Sequence, residues 1–161
     1  MTLITSPVRK AMPEDRQQIL EMCEENHREN GQFKLAPKKV ATMVDRAFNG
    51  GGAIIGVVGG HNSIEGMLLL LISQFWYTDD WILEEIQNYV RPECRRSTHA
   101  KDMIAFGKRC SDEIGIPLVI GVVSNERTKA KMELYRRQLG EPVGGYFLHR
   151  PPAALITALT A

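Results

Sequence analysis

Apolar and polar positions change period several times along the chain, and each change predicts an element. Residues 3–10 read as a first strand. Residues 12–31 follow as a helix, with Ile19, Leu20, Met22 and Cys23 on one face and Gly31 past its end. Pro13 sits where a helix start tolerates proline, and Glu14 and Asp15 complement the positive end of the dipole. Residues 36–51 give a shorter helix, with Val40, Met43, Val44 and Phe48 at helical spacing, stopped by three glycines. Two apolar runs, 53–60 and 64–73, predict strands joined by a hairpin turn at His61, Asn62 and Ser63. Residues 81–90 alternate as a fourth strand. Met103, Phe106, Gly107, Cys110 and Ile114 then make a helical stripe that begins after Thr98 and ends at Gly115. Residues 117–123 read as a short buried strand. Residues 124–140 read as a helix capped by Ser124 or Asn125, and residues 144–150 as a last strand.

This order predicts an α+β fold: a mixed, mostly antiparallel central sheet with helices on both faces. The strand–helix–strand unit around residues 97–115 implies one parallel pair with a right-handed crossover. No linker divides the chain. The expectation is a single domain over residues 1–150 and a C-terminal tail, 151–161, with little to fix it.

Composition narrows the function. The 161 residues carry a formal net charge of +1, so no bulk field points to nucleic acid or an anionic membrane. The longest apolar run, residues 67–72, is far too short to span a bilayer. The first ten residues lack an apolar secretory core. Three widely spaced cysteines fit reduced thiols, and the four histidines share no ligand spacing. A cytoplasmic protein without a metal site is expected.

The densest chemistry lies at Arg95-Arg96-Ser97-Thr98-His99-Ala100-Lys101, where a helix opens. A helix start leaves several N–H groups unpaired, and its dipole favours negative charge there. Cations and small hydroxyls at that spot suit a phosphate group. Ser97 or Thr98 as a plain N-cap on a basic surface loop accounts for the same residues.

The stretch from Val90 through Pro92, Arg95, Thr98 and Ala100 resembles motif A of the GNAT acetyltransferases. There a strand ends in Val-x-Pro, and a loop of the form Gln/Arg-x-x-Gly-x-Gly/Ala opens the next helix. The run from Asn125 through Leu134-Tyr135 to Leu139-Gly140 resembles the family's later Asn…Leu-Tyr…Leu-Gly motif. The likeness covers nearly the whole chain and is nearest the divergent members carried by bacteriophages. It departs at Thr98, where the family usually has glycine, and in the spacing from Asn125 to Tyr135, which is about a turn longer. Thr128 is an alternative for the asparagine's place.

The resemblance implies a GNAT-type fold and acetyl-CoA as cosubstrate, with transfer of its acetyl group to a primary amine of a protein or small molecule. The loop 95–101 would hold the pyrophosphate. Backbone groups of Asn88, Tyr89 and Val90 would pair with the pantetheine arm, and Asn125 and Thr128 are further cofactor contacts. Tyr135 would protonate the leaving thiolate. A lysine-type amine, with pKa about 10.4, arrives protonated and needs a base. Alternation along the fourth strand puts Glu84 on the face of Asn88 and Val90 and Glu85 on the other, so Glu84 is the expected base. The loop at residues 74–81, with Trp76, Tyr77, Trp81, Asp79 and Asp80, is expected to face the substrate or a second copy in a homodimer. The alternative function is a degenerate GNAT-fold protein that works by binding a partner protein.

Overall fold

The computed structural model describes residues 7–125 and 127–151. The expected tail beyond Pro151, the start of the first expected strand, and Glu126 lie outside the described residues. The elements are β1 (Val8–Lys10), α1 (Arg16–Asn30), α2 (Pro37–Asp45), β2 (Ala53–Gly60), β3 (Ser63–Gln74), β4 (Trp81–Val90), α3 (His99–Ile114), β5 (Leu118–Val119) and α4 (Thr128–Leu139). Short 3-10 turns at Pro13–Asp15 and Pro92–Cys94 lead into α1 and α3.

The strands lie in sequence order, β1-β2-β3-β4-β5. The first four pair antiparallel, and β5 joins β4 in parallel. This mixed, mostly antiparallel sheet has helices on both faces, as the pattern predicted. On one face Ile55, Val57, Met67, Leu69 and Tyr89 pack with Ile19 and Met22 of α1 and Val44 of α2. On the other, Leu68, Leu70, Leu83 and Val90 meet Met103 and Cys110 of α3. Gly56 lets α3 lie close, since a Cβ there would stand 2.7 Å from the Phe106 ring.

Three expectations are corrected. The strand expected at 117–123 narrows to Leu118–Val119, because only those two residues reach β4. The strand expected at 144–150 is absent: those residues have no regular structure and are exposed. Their β-type pattern finds no ladder partner among the described residues, and a strand needs one. The third correction concerns the faces of β4. Leu69 opposes Gln87 while Leu70 opposes Glu85, so Ile86 is an extra residue in β4. Such a bulge breaks strict alternation.

Candidate active site

A cavity of about 230 Å³ opens between the end of β4, the start of α3, the inner face of α4 and the last turn of α1. Asn88, Tyr89, Val90, Arg95, Ser97, Ala100, Lys101 and Tyr135 line it, and so do Glu29, Asn30, Arg127, Ala130, Lys131 and Leu134. Eight residues selected from sequence are thus brought together. Arg96, Thr98, His99, Asn125, Thr128 and Glu84 are not among the lining residues.

The mouth at α3 carries the expected groups in a particular arrangement. Thr98 is the N-cap with φ −87°, so threonine sits at the glycine position without left-handed strain. Its hydroxyl donates to Asp102 at 2.6 Å, away from the cavity. Ser97 Oγ donates to the Cys94 carbonyl at 2.6 Å and accepts the His99 N–H at 3.3 Å. His99 Nε2 lies 2.5 Å from Glu65. Arg95 is engaged three ways. Its Nε donates to the Val90 carbonyl at 3.0 Å, a second nitrogen meets Glu29 at 2.5 Å, and its guanidinium lies 5.6 Å over the Tyr89 ring. Lys101, Arg127 and Lys131 supply the other cationic side chains of the cavity wall. Burial holds the Lys131 ammonium below its ordinary value, against the opposing pull of Glu85 and Glu29.

At the inner end Tyr135 Oη donates to Glu85 Oε2 at 3.2 Å. Burial, and then the neighbouring carboxylate, push the Tyr135 phenol well above its ordinary value, so it stays protonated at neutral pH. Burial pushes Glu85 up to about 7, opposed by the Tyr135 hydrogen bond and the Lys131 charge. The bulge at Ile86 explains the meeting. Glu85 opposes Leu70 and Asn88 opposes Leu68, so both stand on the α3 and α4 face. Glu84 opposes Leu71 on the other face, where it accepts the Ser73 hydroxyl at 2.9 Å. Glu84 therefore does not face the cavity, and it is Glu85 that shares the face of Asn88 and meets Tyr135.

The remaining sequence candidates brace the site from outside. Asn125 Nδ2 donates to the Glu29 carbonyl at 3.0 Å, and its Oδ1 accepts from Gln32, tying the start of α4 to the end of α1. Thr128 Oγ1 donates to the Ser124 carbonyl at 2.9 Å. Sequence reasoning missed Glu29, placed Glu85 on the other face of the fourth strand, and did not join Lys131 to the Glu85–Tyr135 pair. Lys131 precedes Tyr135 by one helical turn, so the shared face was a usable signal. Glu29 lies 66 residues from Arg95, and nothing local in the sequence joins them.

No family model and no curated protein sequence matches the chain. Its fold does match solved structures. A predicted acetyltransferase from Clostridium acetobutylicum, solved with acetyl-CoA, superposes at TM-score 0.72 with 13% identity, covering 89% of this chain and 94% of its own. AAC(6')-Iy, solved with a bisubstrate analog of CoA and acetylneamine, gives 0.70 at 10% identity, over 91% and 97%. The aminoglycoside acetyltransferase meta-AAC0020 from a soil metagenomic sample, solved with sisomicin, gives 0.62 at 13%, over 92% and 95%.

Proposed function

With the GNAT-type fold as premise, we propose that the chain is an N-acetyltransferase that uses acetyl-CoA to acetylate a primary amine of a protein or small molecule. One observation carries the reading. Tyr135 lines the cavity whose mouth is the cationic start of α3, and its buried hydroxyl donates to the Glu85 carboxylate behind it. On this reading Tyr135 handles a proton at one end of the cavity and the cationic groups hold an anion at the other.

The residues present suit the cosubstrate. The first-turn N–H groups of α3, with Ser97, Lys101 and Arg127, would hold the pyrophosphate. Asn88, Tyr89 and Val90 would hold the arm by strand-like pairing. Acetyl-CoA supplies the thioester that the amine attacks. Glu85, half ionised near neutral pH, accepts the proton that the attacking amine must lose. Tyr135, kept protonated, donates to the sulfur that leaves, and Lys131 stabilises the negative charge around the pair.

The first test is a melt with and without acetyl-CoA. Saturation at a hundred times Kd stabilises by about 2.7 kcal/mol, a shift of roughly 5–10 °C for a chain of this size. The second is Tyr135→Phe with a panel of primary amines: kcat falls ~10²-fold while the acetyl-CoA shift persists. No shift with the wild type refutes acetyl-CoA binding. A shift with no turnover on any amine leaves the partner-binding alternative, which the engagement of Arg95 by Glu29 favours.

A further inference from the structure

On the acetyl-CoA reading of the cavity, on which this rests, we propose that Lys131 is a self-acetylation site: with no acceptor amine bound, the acetyl group passes to the side chain of Lys131 in the cavity wall. The placement of Lys131 carries this. It lines the cavity together with Tyr135. The two are four residues apart on α4, so they share a helix face and stand about 6 Å apart along its axis. The chain has eight lysines; the other seven are exposed, and Lys131 alone is half-buried. Its Nζ makes no hydrogen bond or ion pair among the described residues.

The surroundings also suit a nucleophile. Burial holds the Lys131 ammonium below its ordinary value, and the Arg95 and Arg127 charges push the same way, against Glu85 and Glu29. A surface lysine, with pKa about 10.4, is almost wholly ammonium at neutral pH. Lys131 therefore holds a larger share of the neutral amine that can attack a thioester. Lys101, the other lysine of the wall, is exposed on α3 at the mouth. There it meets the anion rather than the thioester.

The proton path needs no group beyond those of the site. The neutral Nζ bonds to the thioester carbonyl carbon as the carbon–sulfur bond breaks. Nζ gives one proton to the Glu85 carboxylate. The departing sulfur takes the Tyr135 proton, and the Tyr135–Glu85 hydrogen bond returns a proton to the phenol. The products are Nε-acetyl-Lys131 and CoA. The acetylated side chain has no charge. The Lys131 charge and the Tyr135 hydrogen bond are what oppose the burial of Glu85. Without that charge the Glu85 carboxyl rises further and is less ionised at neutral pH, so self-acetylation slows transfer to an acceptor.

The test incubates the full chain with acetyl-CoA and no acceptor, times each modified lysine by peptide mass mapping, and melts the same samples. Lys131 should be acetylated at least ~10²-fold faster than Lys38 or Lys39, because it reacts as a held neighbour rather than by collision. The rate per chain should not depend on protein concentration, and excess desacetyl CoA should suppress it. Tyr135→Phe should slow it by ~10²-fold. In the protein alone, trace labelling with acetic anhydride over a pH series should give Lys131 a midpoint below that of every exposed lysine. A melt shift with acetyl-CoA while Lys131 reacts no faster than Lys38 overturns the proposal and leaves the acetyl-CoA reading standing. No melt shift removes both. A rate that rises with protein concentration, or a Lys131 midpoint equal to that of the exposed lysines, also overturns it.

Discussion

Glu85→Gln should make the protein more stable at alkaline pH and leave it unchanged at acid pH. The cause is the burial of the Glu85 carboxyl, which lifts it from 4.5 to about 7 in the folded chain. The sign follows from proton counts. Between those values the unfolded chain has released the Glu85 proton and the folded chain still holds it. The folded state binds more protons, so stability falls as pH rises through this window. Below 4.5 both states are protonated and there is no penalty. Above about 7 both are ionised, and the full penalty of a buried carboxylate applies. Each pH unit across the gap is worth about 1.4 kcal/mol, so the total is about 3 kcal/mol. Glutamine keeps the shape and can still accept from the Tyr135 hydroxyl, but it never ionises.

Denaturant unfolding of both proteins across the window reads this directly. The curves of stability against pH should coincide at the acid end and separate to about 3 kcal/mol at the alkaline end. In thermal melts the separation is roughly 6–12 °C. A difference that stays constant across the window would refute the buried, titrating carboxyl. It would also remove the reason to regard Glu85 as a proton acceptor near neutral pH, since that role needs a group that changes state there. If the role holds, wild-type turnover should have an acid limb near pH 7, and Glu85→Gln should lose that limb along with most of its rate.

Two further outcomes follow from the packing around the site and in the sheet. Glu29→Gln removes the ion pair and opens one arm of the Arg95 guanidinium to an anion; acetyl-CoA binding measured by calorimetry should tighten by about 5-fold, the equivalent of about 1 kcal/mol for a partly exposed pair. Gly59→Ala should destabilise the fold by about 2 kcal/mol or more in urea, because Gly59 has φ +105° and its Cβ would lie 2.4 Å from the Ser63 carbonyl.

Much of the fold was legible because the signals were local. The fourth strand, expected at 81–90, is β4 to the residue. α3 begins after Thr98 and ends at Gly115, whose φ of 78° is the left-handed stop that glycine permits. The order of elements through α4 and the single parallel pair also follow from the pattern. The errors came where partners decide. Residues 144–150 have strand composition, but a strand exists only when another backbone answers it. Glu29 enters the site because α1 ends beside the β4–α3 loop, a tertiary fact with no sequence spacing. Arg95 was selected as an anion ligand from its charge, its place at a helix start and its motif position; the neighbour that occupies it could not be read.

The bulge at Ile86 had the largest effect, and it does two things with one residue. It turns Glu85 to the face of Asn88 and Val90, which period-two reading assigns to Glu84. It also marks where β4 leaves β5. The parallel ladder runs through Leu83 and Glu84 and goes no further. Beyond it the β4 edge towards β5 has no ladder partner among the described residues, and there Asn88, Tyr89 and Val90 line the cavity. Strict alternation to the end of β4 would have set Glu85 on the face opposite Asn88 and Val90. The same insertion therefore turns the carboxylate towards Tyr135, whose side chain lines the cavity. Fold and chemistry are linked here through register, a property that depends on what lies opposite each residue rather than on the residue itself.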